Sequence, residues 1–315
     1  MMIPVLLGVI VAVFTINFIS PGDPVYGMLG VGATEEQAEE LREELGLNDS
    51  YIEQLWSYVK GVVTRADFGT SYQTKQPVFT EIMKRFPTTF KLAILSIALS
   101  VVVGIPLGIL AATHQNSVFD YISSICALVG AAMPGFWLAL ILLIVFAVNL
   151  GWFPVSGLTT WRHWVLPVIA VGVMPIASIM RTTRSSMLEV IRQDYIRTAR
   201  SKGMGEVQVV FGHALKNALI PVITVIGLQL GLVLGGAMVL EAIFNIPGLG
   251  MYMYSSIAAK NYPAIQGCVL FCAIVVSLLN LLIDLIYAFI DPRIKSQYTA
   301  SRKKKPAGGE GGAEA

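Results

Sequence analysis

The sequence predicts an all-α membrane protein with six transmembrane helices, and three observations carry that prediction. Of the 315 residues, 55% are hydrophobic and only 13% are charged, against about 45–50% apolar and about 25% charged in an ordinary soluble domain. Six stretches approach the ~20 apolar residues that cross hydrocarbon as a helix. Charge is sorted along the chain rather than spread over it. The same figures exclude a disordered chain, a fibrous repeat and a secreted disulfide scaffold. Net charge is only +2, so nothing global points to nucleic acid.

The expected spans are Met2–Ile19, Phe90–Ala112, Ile122–Val148, Trp164–Met180, Ile220–Ile243 and Ala264–Ile290. The first lacks the basic n-region and small-x-small cleavage site of a signal peptide, and it ends in Ile19-Ser20-Pro21-Gly22-Asp23-Pro24. It is expected to be a retained span, its missing basic flank pointing to a start further upstream. Gly104-Ile105-Pro106-Leu107-Gly108 in the second span and Met133-Pro134-Gly135 in the third are expected to break their helices in mid-membrane. Broken helices of this kind often line a cavity. Pro167 and Pro175 interrupt the fourth span, which prolines can do where neighbouring helices satisfy the freed carbonyls.

The loops fix the expected orientation. Ser20–Phe90 carries 11 acids against 6 bases, Arg181–Lys216 carries 7 bases against 3 acids, and Asp291–Lys305 carries 6 bases against 1 acid. Basic short loops mark the cytoplasmic side. Both termini and the loop 181–219 should therefore lie inside a cell membrane, with 20–89 and 151–163 outside. Chain organisation follows: a first transmembrane helix over 1–19, an extracytoplasmic helical segment over 20–89, a five-helix core over 90–290, and a basic tail over 291–315 whose low-complexity end is expected to be disordered.

Two helices are expected in the outer segment. Thr34 with Gln37, and Ser50 with Glu53, fit capping boxes, and Gly46 is a natural stop. Ile52, Leu55, Trp56 and Val59 should share one face of the second helix. These helices could lie against the outer membrane face or offer a docking surface to an external protein, and both readings stay open.

A search for chemistry comes back thin. Asp67-Phe68-Gly69 matches a kinase tripeptide without the remaining kinase motifs. The chain has no P-loop and no H-E-x-x-H. His114, His163 and His213 fall in separate loops, so no catalytic and no metal-binding set converges. Cys126, Cys268 and Cys272 lie in apolar runs, where free Cys packs as a small hydrophobe. Asp284 and Glu241 are the ionisable groups within spans, and snorkelling or helix pairing is expected of them before a direct transport role. Gly227, Gly231 and Gly235, at four-residue spacing, allow close helix packing. Alternatively they line a translocation path together with Gln229, Pro134 and Gly135.

The basic loop is the most informative stretch. It reads Asp194-Tyr195-Ile196-Arg197-Thr198-Ala199-Arg200-Ser201-Lys202-Gly203-Met204-Gly205-Glu206, then His213, Leu215, Asn217, Ala218 and Pro221 in the pattern H-x-L-x-N-A-x-x-P. A short basic helix, a glycine break and a second amphipathic segment would present a rigid knob to another protein.

This loop resembles the coupling loop of binding-protein-dependent ABC importer permeases, in the branch that serves dipeptides, oligopeptides and nickel. Thr198-Ala199-Arg200-Ser201-Lys202-Gly203 matches that branch's T-A-R-x-K-G, in place of the wider family's Glu-Ala-Ala. Pro21-Gly22-Asp23-Pro24, Asp67-Phe68-Gly69-Thr70-Ser71, Met133-Pro134-Gly135-Phe136-Trp137, Glu241–Gly250, Asn261-Tyr262-Pro263 and Asp291-Pro292-Arg293 resemble the same branch.

The resemblance implies a type I importer permease fold and a multi-subunit machine: a second homologous permease, two P-loop ATPases inside that carry ATP and Mg, and a substrate-binding protein outside. This chain would bind no cofactor itself. Thr198, Ala199, Arg200, Lys202, Gly203 and Glu206 would meet an ATPase. Peptides are the leading cargo, with nickel or a metal chelate as the alternative. From other classes, a stand-alone carrier or channel titrating through Glu241 or Asp284 remains, as does a purely structural subunit. A membrane-embedded enzyme stands behind both.

Overall fold

The structure, a computed structural model, describes residues 2–29 and 33–290, with side chains over 4–29 and 33–286. The basic tail, with Asp291-Pro292-Arg293, lies outside the described residues. Within them the regular elements are helices. An N-terminal group comprises α1 (Met2–Ile19), α2 (Pro24–Leu29), α3 (Glu35–Glu44) and α4 (Tyr51–Arg65). Then come α5 (Val78–Thr113), α6 (Val118–Ala132), α7 (Gly135–Leu142), α8 (Arg162–Ile191), α9 (Asp194–Ser201) and α10 (Glu206–Gln208). The chain closes with α11 (Leu215–Gly236), α12 (Met238–Ile243), α13 (Leu249–Ala258) and α14 (Tyr262–Ile290). Single π-helical stretches, Leu143–Asn149 and Val209–Ala214, extend α7 and α10.

Four helical runs are long and apolar enough to cross a membrane: α5, α8, Glu206–Gly236 and α14. The pair α6–α7 makes a fifth if its two halves, bent by 102°, count as one broken span, and α1 is apolar but shorter. The bend falls at Met133-Pro134-Gly135, as expected. A proline pushes the residue before it out of the helical region, and Met133 is extended, with φ −73° and ψ 128°.

The expected break at Gly104–Gly108 does not occur. α5 runs unbroken through Pro87 and Pro106, and α8 runs through Pro167 and Pro175. The reason is the neighbour. α5 and α8 form the most extensive helix pair in the protein, and packing along that length holds the helix where a lone proline would not. Gly104 and Gly108 serve this approach. A Cβ at Gly108 would lie 2.5 Å from Thr183 Cβ and 2.7 Å from the Met180 carbonyl oxygen, and one at Gly104 would lie 3.1 Å from the Ile176 carbonyl. Ser100 Oγ donates across the same seam to the Gly172 carbonyl at 3.0 Å.

Around this pair the main core gathers Leu92, Ala93 and Ile97 of α5, Leu166, Ala170 and Val171 of α8, Val233 and Leu234 of α11, and Phe244 and Ile246 beyond α12. At one end of the bundle, Arg184 grips the buried Asp120 with Nε at 2.6 Å and Nη2 at 2.7 Å, and the Asn116 N–H donates to the same carboxylate at 3.1 Å. Two parallel charge-assisted bonds fix orientation as well as distance. They set the start of α6 against the end of α8, which leads into α9.

α5 begins at Val78, twelve residues before its expected apolar start at Phe90, so part of the expected 20–89 segment belongs to this helix. Both capping boxes form as read, at Thr34–Gln37 and Ser50–Glu53. The face of α4 divides otherwise. Leu55 and Val59 pack inward with Tyr58 and Val62, whereas Ile52 and Trp56 join Val63 on an exposed stripe. The i, i+3, i+4, i+7 set 55-58-59-62 wins the core because it adds Tyr58, which stacks on Phe14 of α1.

Candidate functional site

The basic loop forms a compact knob on the ends of α5 and α8. α9 stops because Gly203 takes φ +79°, a conformation glycine adopts without the Cβ penalty other residues carry. Its N–H then bonds the Arg200 carbonyl at 2.9 Å. Ile196 and Ala199 turn inward and pack with Ile109 and Ala112 of α5, Met187 of α8, and Val209 and Val210. Of the six residues the sequence places at a partner contact, Ala199 is therefore turned into the protein, only 7% exposed. Thr198, Arg200, Lys202, Gly203 and Glu206 are exposed.

Arg200 and Glu206 reach each other across the turn, Nε to Oε2 at 3.1 Å and Nη2 to Oε1 at 2.5 Å. Beside them stand two apolar side chains the sequence reading did not single out. Val207 is 74% and Phe211 56% exposed, and their four-residue spacing puts both on one face.

The glycine stripe divides. A Cβ on Gly227 would lie 2.3 Å from Ile283 Cδ1, and one on Gly231 would lie 3.5 Å from Val276, both in α14, while Gly235 has open space around it. Gln229 is buried off the stripe. Pro134 caps α7, and a Cβ on Gly135 would lie 3.7 Å from Leu240 Cδ1 of α12, an ordinary contact.

Glu241 is wholly buried at the opposite end of the bundle, and the structure gives it a specific partner set. Thr89 Oγ1 donates to its carboxylate at 2.6 Å, and the Met251 N–H donates at 3.0 Å. The Leu249 N–H donates to Thr89 Oγ1 at 2.8 Å. The leading N–H groups of α13, which have no partner inside the helix, are thus taken up by side chains from α5 and α12. Gly248 and Gly250 make room, since a Cβ on Gly248 would collide with the carboxylate. Nothing in the sequence pointed to Thr89, which lies 152 residues from Glu241.

Motifs far apart in sequence meet beyond the end of α13. Asn261 donates to Ser71 Oγ at 2.8 Å and accepts from the Tyr72 N–H at 3.0 Å. Lys260 donates to the Pro21 carbonyl and Tyr262 to the Gly22 carbonyl, both at 3.0 Å. Arg42 of α3 ties back to Asp23 at 2.6 Å, and also pairs with Glu35 and Glu39. Hydrogen bonds from Tyr26 and then Arg42 hold the Glu35 carboxyl below the usual range. Among the described residues no group of three or more His, Cys, Asp or Glu side chains could hold a metal ion.

The family model described as the binding-protein-dependent transport system inner membrane component matches residues 104–296, and the model of the same component's N-terminal part matches residues 1–93. The chain belongs to this family. It is a multi-pass membrane component of a transport system rather than an enzyme.

Among family relatives, the dipeptide transport system permease protein of Alkalihalophilus pseudofirmus is 43% identical over 94% of this chain and 97% of its own. The glutathione transport system permease protein of Pectobacterium atrosepticum is 42% identical over 93% and 96%. The fold recurs in the inward-facing MetNI methionine ABC transporter, with TM-score 0.55, 19% identity and coverage of 68% of this chain and 97% of that one. It recurs again in an amino acid ABC transporter crystallised with histidines, with TM-score 0.52, 16% identity and coverage of 68% and 94%.

Proposed function

We propose that the chain is one permease subunit of an ATP-driven importer of small peptides. It pairs with a second, similar permease, takes peptide from an external binding protein, and is driven by two P-loop ATPases that carry ATP and Mg inside. Its termini and the loop 181–219 face the cytoplasm, residues 20–77 face outward, and six spans result when α1 and the bent α6–α7 pair each cross once. The 43% identity to a dipeptide permease over nearly the whole chain is the observation that carries the reading.

The loop geometry supports it physically. A knob that shares a core with α5 and α8 moves with them, so a partner that grips it in two states can shift the helices as a rigid body. Coupling requires the knob to meet those two states with different free energy. Gly227, Gln229, Gly231, Gly235, Pro134 and Gly135 lie near the path in this reading.

The test is purification of tagged protein from its native membrane in mild detergent, with uptake of isotope-labelled di- and tripeptides measured in cells. Co-elution of a second permease and P-loop ATPases, with peptide uptake lost on deletion, is the expected result. A chain that elutes alone from complexes shown to survive the detergent overturns it in favour of a carrier or channel. Gly203→Trp, placing a bulky side chain at φ +79°, should leave the membrane level unchanged and lower uptake about tenfold or more, since left-handed backbone strains any side chain.

A further inference from the structure

Two charges that resemble partner-facing contacts in the sequence face each other in the structure. Arg200 closes the last turn of α9 and Glu206 opens α10, so the pair spans the turn Lys202–Gly205. Backbone bonds close its α9 side, Lys202 N–H to the Thr198 carbonyl at 3.1 Å and Gly203 N–H to the Arg200 carbonyl at 2.9 Å, and the side-chain hydrogen bonds that join α9 to α10 across it are those of this pair. Gly203 and Gly205 have no neighbouring atoms within reach of a Cβ, and of the side chains between Ser201 and Glu206 only Met204 is drawn toward the core. Both guanidinium nitrogens that face Glu206 are engaged, one to each carboxylate oxygen. This two-point geometry fixes the relative direction of the two helices. Each charge also suits its position, a cation at a helix C-terminus and an anion at an N-terminus.

We propose that Arg200 and Glu206 act on each other as a cross-turn brace that preshapes the knob, and that the knob meets its partner chiefly through the apolar pair Val207 and Phe211. Arg200 and Glu206 are positioning residues, and this assignment rests on the coupling reading above. The occupant of the apolar pair is an ATPase subunit with an apolar-walled groove. Val207 and Phe211 stand on one face directly after the braced turn, beside a pair whose opposite charges cancel each other, so the surface offered to the partner is apolar at its centre with Lys202 and Arg197 at its edge.

In the free chain the exposed pair orients the turn but adds little to stability, because solvent screens it. Once the partner covers the knob, loss of either member leaves the other charge desolvated and unpaired. The effect therefore appears in assembly with the ATPase. It should be small in the stability of the permease alone.

A double-mutant cycle in the complete, co-expressed transporter decides this. Arg200→Gln, Glu206→Gln and the double variant are compared by the ATPase recovered on tagged permease at equal membrane level. This readout does not depend on the cargo. Each single substitution should lower recovery about fivefold or more, and the double should be no worse than either single, the signature of two residues that act as a unit. Val207→Asp with Phe211→Asp should lower recovery about tenfold or more by placing charge in an apolar contact.

Single losses that multiply in the double overturn the brace, because each charge then reads the partner separately. Singles at the wild-type level overturn it as well. If the two charge singles are silent and the apolar variants lose ATPase, the coupling reading stands without the brace. If Gly203→Trp and the apolar variants also retain full recovery, the coupling reading itself has failed.

Discussion

Gly108→Ala should destabilise the folded protein by about 3 kcal/mol or more, the upper end of what overpacking a well-filled core costs. The new methyl would sit 2.7 Å from the Met180 carbonyl oxygen and 2.5 Å from Thr183 Cβ. A flexible side-chain tip could swing aside, but a backbone carbonyl inside a helix cannot. α5 and α8 would have to part along the seam where Ser100 bonds the Gly172 carbonyl. Gly235→Ala is the internal control. Its surroundings are open, and replacing a helical glycine by alanine favours the helix by up to about 1 kcal/mol. The measurement is the thermal midpoint of the detergent-solubilised protein, with yield of folded protein in the membrane alongside. Equal midpoints for Gly108→Ala and wild type would show that the two helices do not approach this closely.

Glu241→Ala should be comparably damaging, at about 3 kcal/mol or more, because it strips the acceptor from a buried set of donors. Met251 N–H and Thr89 Oγ1–H both lose their partner at once. Glu241→Gln keeps one acceptor oxygen and should fall between the two. Thr89→Val should cost about 2 kcal/mol, leaving the Leu249 N–H unmatched. Its effect should not add to that of Glu241→Ala, since the two residues hold one helix end. A carrier that titrated through Glu241 would behave otherwise: Glu241→Gln would fold normally and lose the pH dependence of uptake. Midpoints of the variants, with the pH profile of peptide uptake in Glu241→Gln, separate a fixed helix cap from a proton-carrying group.

The knob was largely legible in the sequence, because a helix stop at Gly203 is a local property. The sequence could not say which members of the knob face outward. Ala199 and Arg200 are adjacent, and only the position of Met187 and Ile109 beneath the helix decides that one is buried and the other free. The pairing of Arg200 with Glu206 likewise depends on the angle at which the turn brings α10 back.

By itself the sequence determined what depends on near neighbours and on the solvent: a helical chain partitioned into the membrane, two capping boxes, the bend at Met133-Pro134, and the sorting of charge between loops. Hydrophobic partition and capping act over a few residues, so they can be read from a few residues. Tertiary structure alone decided that Pro106 would not break α5, that Gly104, Gly108 and Gly227 rather than Gly235 mark close helix contacts, and that Glu241 and Thr89 would close α13. Each of these is settled by an atom from a segment distant in the chain, and a proline, a glycine or a buried acid takes its meaning from what is packed against it.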